Sequence, residues 1–347
     1  MNAIKNARPA RFDRQRSPWP WLALLAVTFL AACGGTPAGS PAADPDDLAP
    51  VQLAPGQKLR VVATTNIVGD VVARVGGDQI DLVTLMGIGI DPHSYVPTPS
   101  DIAAIHDAHA VLINGADLEA NIDSIFAGAG GDAVLLSVSR GLDLLPAPEG
   151  VHGDVEGVHG DVEGAHGDVG EEAEADPHVW FSVPNVVHWV DNIERTLSAL
   201  DPDNAATYQE NADAYVRELE ELDAWIQDQV ATIPPENRKL VTNHPVFGYL
   251  AAGYGFEQIG AIYPLSPSGE PSAQEIAALE DDIRRYGVPA IFAESSVNPK
   301  LAELIAQDTG VALVPLYTGS LGAPGSGAET YVQMMRYDVR AIVDALQ

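Results

Sequence analysis

NAATYQENADAYVRELEELDAWIQDQVATI, residues 204–233, is the stretch from which the rest of the chain is read. Within it Tyr208, Ala212, Tyr215, Leu219, Leu222, Ile226 and Val230 recur at three- and four-residue spacing, while Glu and Asp crowd the remaining positions. That is the pattern of a single amphipathic helix. At about 1.5 Å per residue it would reach roughly 45 Å, the span of a whole domain. A helix of this length between two α/β halves reads as a spine joining lobes, although a packed surface helix would carry the same pattern.

Short β-rich runs alternate with amphipathic stretches on both sides of it. Before it, strands are expected at 59–64, 80–86, 110–114 and 134–138, with helices at 67–75, 99–108, 118–127 and 183–200. After it, strands are expected at 239–242, 257–262, 289–293 and 311–315, with helices at 246–254, 272–286, 300–309 and 330–346. Such alternation predicts an α/β fold of two lobes with mainly parallel sheets. The division expected is an N-terminal lobe over 56–200, a linking helix over 201–235 and a C-terminal lobe over 236–347. Ligands of such sheets bind beyond the C-terminal ends of the strands, which points to the interlobe cleft.

Residues 1–33 read as an export signal. Lys5, Arg8, Arg11, Arg14 and Arg16 precede an apolar run from 21 to 32 that is too short to span a bilayer. Leu30-Ala31-Ala32-Cys33 resembles the bacterial lipobox, whose cysteine becomes the lipidated first residue of the mature chain. Cys33 is the only cysteine, which excludes intrachain disulfides and thiolate metal clusters. Residues 34–55, rich in Gly, Pro, Ala and Asp, read as a flexible tether. The expected location is therefore the outer face of the cytoplasmic membrane or the periplasm, held by a lipid anchor. The net charge of −31 argues against nucleic acid as a partner, which demands basic patches.

Of nine histidines, three have distinctive neighbours. His93 lies in Asp91-Pro92-His93-Ser94-Tyr95 and His178 in Asp176-Pro177-His178-Val179-Trp180, so one tripeptide occurs twice. His244 lies in Asn243-His244-Pro245, directly after an expected strand. Proline beside each imidazole limits backbone freedom, and a carboxylate two residues earlier can accept the second ring N–H, as around metal-bound histidine. By spacing alone, solvated loop histidines and a metal site remain equal readings. His106 and His109 read as a surface pair, and His188 as a structural or surface histidine.

Several longer segments carry a family resemblance. The run from Asp91 to Asp101, DPHSYVPTPSD, resembles the first metal motif of the zinc/manganese solute-binding lipoproteins of ATP-binding-cassette importers. Asp176–Trp180 and Asn243–Leu250 are similar to the second and third, and segments at 270–273, 292–297 and 331–337 resemble further family signatures. The resemblance implies two lobes joined by one long helix, with metal between them, and carries over His93, His178 and His244 as ligands. It implies no enzymatic activity and no catalytic residue, a membrane permease as partner, and a monomer. Many members have an aspartate where this chain has Gly319. The fourth position is then left to water, an anion or another carboxylate. Glu294, at the end of an expected strand, either fills that position or backs a ligand.

A seven-residue repeat, VHGDVEG, spans 151–157 and 158–164 and decays in a third copy. With its glycines and no apolar seam it is low-complexity loop within 147–175, not coiled coil. His152, His159 and His166 with their carboxylates would make a low-affinity metal loop, disordered without metal; neutral expansion of a tolerated insertion is the competing account. Imidazole ligands favour Zn2+ over the alternative Mn2+, which prefers oxygen. Because the ligands must be neutral, capture is expected to weaken below about pH 6. An exported zinc hydrolase and a surface adhesin are the rival classes. The chain lacks the His-Glu-x-x-His and Gly-x-Ser-x-Gly signatures that the first would call for.

Overall fold

The computed structural model describes residues 44–119, 122–147, 175–263, 271–295 and 298–347. The expected signal and Cys33, residues 34–43 of the tether, and the repeated loop with His152, His159 and His166 lie outside the described residues. The remainder of the expected tether, 44–55, lies against the first lobe, with Asp44 paired to Arg140 at 2.7 Å and Val51 N donating to Leu200 O at 2.8 Å. Among the described residues no helix is long and apolar enough to cross a membrane.

Two four-stranded sheets carry the fold. The first contains β1 (Leu59–Ala63), β2 (Ile80–Thr84), β3 (Ala110–Ile113) and β4 (Val134–Ser137), in the order β2-β1-β3-β4. The second contains β5 (Lys239–Thr242), β6 (Glu257–Ala261), β7 (Ala290–Glu294) and β8 (Ala312–Leu316), in the order β6-β5-β7-β8. Every pairing within the two sheets is parallel, and the second repeats the topology of the first. The chain thus has the two α/β lobes that its alternating pattern predicts.

Strand periodicity divides the core into three. Leu59, Val61 and Ala63 of β1, Ala110 and Leu112 of β3, Leu240 of β5, and Ala290 and Phe292 of β7 all enter one apolar cluster that runs through both lobes. The alternate residues Val62, Val111 and Leu135 face a separate cluster, and Val241, Ile291 and Ala293 face a third. Side chains in a strand point alternately to opposite faces, so each sheet is covered on both sides.

The shared cluster also takes α1 (Asn66–Gly76), α4 (Val183–Leu200), α5 (Ala205–Ala231) and α9 (Tyr331–Leu346). The outer faces are covered by α2 (Pro99–Asp107) and α3 (Ile122–Ala129) in the first lobe, and by α7 (Ala273–Tyr286) and α8 (Lys300–Thr309) in the second. The long helix α5 has 27 residues, about 40 Å, and buries the seven residues Tyr208 to Val230 of the sequence pattern. It touches α1, α4, α9 and the short α6 (Gly248–Tyr254). Arg336 and Arg340 of α9 lie over the Trp225 ring, at 4.8 and 5.4 Å from its centroid.

Local chemistry fixes the ends of several elements. Thr98 and Asp101 form a capping box with Pro99 in the first turn of α2, and Ser272 and Glu275 form another on α7. The expected helix from residue 118 starts later, at Ile122. Gly115, Ala116 and Asp117 take φ of 81°, 51° and 61°, a left-handed run that cannot belong to a right-handed helix.

Candidate metal centre

The two Asp-Pro-His tripeptides share one side-chain turn. Asp91 Oδ1 accepts the backbone N–H of His93 at 3.0 Å, and Asp176 Oδ1 accepts that of His178 at 3.0 Å. Each is an Asx turn that aims the imidazole two residues on. Pro92 opens a 3-10 turn over Pro92–Ser94, reached from β2 through Leu85–Ile90. His178 leads into the turn Val179–Phe181 at the head of α4, with the Trp180 ring 5.4 Å from its own. His244 comes from the other lobe, two residues beyond β5.

These loops bring the three imidazoles together. Ring centroids lie 5.2 Å apart for His93–His178, 5.4 Å for His93–His244 and 5.2 Å for His178–His244. One nitrogen from each lies within 4.8 Å of the other two, and the Nε2 atoms of His93 and His178 are 3.1 Å apart. A tetrahedral zinc with bonds of 2.0–2.1 Å needs ligand nitrogens about 3.3 Å apart, so this spacing suits one cation. His244 Nε2 is buried without a hydrogen-bond partner. A buried imidazole nitrogen left unpaired beside two others is what a cation would complete.

Carboxylates orient two of the rings. Asp176 Oδ1 lies 2.7 Å from His178 Nδ1 as well as accepting its backbone N–H, which turns Nε2 toward the cluster. Glu294 Oε2 lies 3.1 Å from His244 Nδ1, close enough to back the ring although the contact is not aligned as a hydrogen bond. Glu294 therefore stands behind His244, outside the set of converging nitrogens. It can do so because β7 pairs directly with β5, which places the two strand ends side by side.

Gly319 lies against the same residue. A Cβ there would come within 3.1 Å of Pro92 Cδ and 3.2 Å of Glu294 Oε1. Burial, then the neighbouring His178 and His244, lower the pKa of His93 to about 3. Burial also lowers that of His178, against the opposing pull of Asp176. Neutral imidazoles keep their lone pairs available for a metal at neutral pH.

Several residues that the sequence reading passes over hold the loops across the cleft. Asn66 donates to Gly87 O at 3.0 Å and to Ser320 Oγ at 3.0 Å, and accepts from Leu321 N at 2.8 Å. Gly89 N donates to Ser320 Oγ at 2.7 Å, and Trp180 Nε1 to Thr318 O at 2.9 Å. Tyr249 OH donates to Asp176 O at 3.0 Å. A Cβ on Gly248 would lie 2.3 Å from Asp176 Oδ2, so the glycine of the third motif makes room for the aspartate of the second. The signal was present in the quoted motif, Phe247-Gly248-Tyr249, but its partner is about seventy residues away in sequence.

The other described histidines are spent elsewhere. His109 Nδ1 accepts from Arg60 N at 2.9 Å, His106 Nδ1 lies 3.1 Å from Ala129 O, and His188 Nε2 lies 2.7 Å from Arg140 O.

A family profile described as the periplasmic zinc-uptake complex component A, ZnuA, matches residues 61–345. The chain is 34% identical over 293 residues to a manganese-binding lipoprotein, MntA, of Halalkalibacterium halodurans, covering 84% of this chain and 89% of that one. Among solved structures it is similar to the periplasmic zinc-binding protein TroA of Treponema pallidum, with a TM-score of 0.71, 31% identity and coverage of 84% and 99%. The Mn-bound periplasmic metal-binding protein of Candidatus Liberibacter asiaticus matches with a TM-score of 0.71, 27% identity and coverage of 84% and 100%.

Proposed function

The chain belongs to the ZnuA family, the metal-binding lipoproteins of ATP-binding-cassette transporters, and from that premise we propose that it captures zinc between its lobes through His93, His178 and His244. It is a substrate-binding component of a metal transporter and not an enzyme. The ligand set and the choice of metal are our reading. The observation that carries it is the convergence of three imidazole nitrogens within 4.8 Å, a group that includes no carboxylate. Such a set favours zinc, whereas manganese prefers more oxygen donors. Capture of manganese is the second reading, supported by the name of the H. halodurans relative.

Delivery would follow to a membrane permease, with the chain acting as a monomer held at the outer face of the membrane by lipid on Cys33. The 201–235 segment would serve as the link between lobes, and the histidines of 147–175 as a labile collecting loop. Competition titration of zinc against manganese, on the chain lacking residues 1–33, tests the metal. One tight site preferring zinc is expected, and a site preferring manganese would replace the first reading with the second.

A further inference from the structure

Two of the three clustered histidines have a carboxylate against Nδ1, Asp176 at 2.7 Å and Glu294 at 3.1 Å. His93 has none: Asp91 takes only its backbone N–H, and its Nε2 is turned toward His178. An imidazole held by one nitrogen can rotate or change tautomer, and in metal sites the second nitrogen is usually anchored.

His93 lines a cavity of about 60 Å3 together with Met86, Pro92, Tyr95, Leu118 and Glu119. The Tyr95 hydroxyl is engaged elsewhere, donating to Asp101 Oδ2 at 2.8 Å. Glu119 is buried, at 8% exposure, and holds the turn that follows β3. Its Oε1 accepts from Thr64 Oγ1 and from Asn114 N, and its Oε2 from Gly115 N at 3.1 Å. Of these donors only Gly115 N reaches Oε2, and Glu119's own backbone N–H also bears on the carboxylate. Burial raises the proton affinity of Glu119, as befits an acceptor for an imidazole N–H.

The topology gives this glutamate a counterpart. In each sheet the strand order reverses beside the first strand, between β1 and β3 and between β5 and β7. Glu294 ends β7 at the second of these points, against the histidine that follows β5. Glu119 is held by Thr64 and Asn114, the residues that follow β1 and β3, at the first. Both lobes thus bury a glutamate at the position where open α/β sheets bind ligands.

We propose that Glu119 is the positioning carboxylate of His93, reaching Nδ1 through one water in this cavity and so leaving Nε2 for the metal. The cavity has room for a water, and His93 and Glu119 supply the two polar partners that such a bridge needs. The inference rests on the metal-capture reading above.

The test is a zinc competition titration of the chain lacking residues 1–33, with Glu119→Gln, His93→Ala and the double variant. Glu119→Gln should weaken zinc binding about 10-fold. It should cost nothing further in the His93→Ala background, because its effect passes through that ring. The Nδ1 nitrogen NMR shift of His93 in the zinc-loaded protein should also move. Wild-type affinity in Glu119→Gln, or the same loss on top of His93→Ala, overturns the proposal and leaves the capture reading intact. Wild-type affinity in His93→Ala overturns both. If Glu119→Gln does not fold, Ile122→Phe fills the same cavity without altering the carboxylate. It must then produce the same loss, and wild-type affinity there overturns the proposal.

Discussion

Asp91-Pro92-His93 and Asp176-Pro177-His178 are one tripeptide in two environments. One backbone contact is identical: each aspartate accepts the N–H of its histidine at 3.0 Å. Their side-chain chemistry is not. Asp176, 1% exposed, also lies 2.7 Å from the ring Nδ1, and His178 is followed by Val179, Trp180 and Phe181, all within 1% of full burial. His93 is the most open of the three rings and is followed by the exposed Ser94. A short polar motif dictates a turn, and what the following residues bury decides how tightly the motif holds its ring.

The largest effects should come from the rings themselves. If about 10–16 kcal/mol of metal binding is shared over three or four ligands, losing one costs more than about 100-fold in affinity. His93→Ala and His178→Ala should both show this in zinc titration. They should part in thermal unfolding of the metal-free protein, where His178→Ala leaves Asp176 buried without its ring and lowers the midpoint, whereas His93→Ala does not. Equal midpoints would dissolve the contrast between the two copies.

Next come the aspartates. Asp176→Asn removes the charge behind His178 and should weaken zinc binding 10- to 100-fold, in the manner of outer partners of metal ligands. Asp91→Asn keeps a side-chain oxygen for the turn and touches no ring, so a change below about 3-fold is expected. The opposite ranking would show that the turn, rather than the ring contact, is what matters.

Gly248→Ala approaches the same contact from the other lobe. A methyl 2.3 Å from Asp176 Oδ2 must displace either that carboxylate or the start of α6. A loss of about 10-fold in zinc affinity is expected, smaller than for Asp176→Asn because the carboxylate can retreat without being removed. Unchanged affinity with a lowered midpoint would assign Gly248 to packing alone.

Most of the scaffold was legible in the sequence because it follows period. The seven buried residues of α5 are those that the spacing selects, and the two sets of four strands appear where β-rich runs were expected. Boundaries slipped where the chain leaves that grammar, as at Gly115–Asp117, whose left-handed turn depends on the carboxylate of Glu119. Of the site, the sequence marked His93, His178 and His244 by their neighbours. It could not show that Glu294 stands behind His244, since that follows from β5 pairing with β7. Nor could it reveal Asn66 and Ser320, two ordinary polar residues whose contact, some 254 positions apart, exists only once the lobes meet.

The smallest effect concerns pH, and it again sets one copy against the other. An imidazole in the unfolded chain takes its proton near pH 6.5, whereas His93 in the folded chain is held to about 3 by burial and by His178 and His244. Between those values the unfolded chain binds a proton that the folded chain refuses, so the stability of the metal-free protein falls as pH drops from about 6.5 toward 3 and is level above. His178 shifts in the same direction, but Asp176 opposes the shift, so its share of the loss should grow in Asp176→Asn. The same depression moves proton competition for zinc below the pH of about 6 expected for free imidazoles, so affinity should hold from pH 7 to 6. Unfolding midpoints in chelator between pH 8 and 4.5 provide the measurement. His93→Ala should shallow the slope and Asp176→Asn should steepen it. A midpoint that stays level from pH 7 to 5 would mean that the rings are not held together without metal.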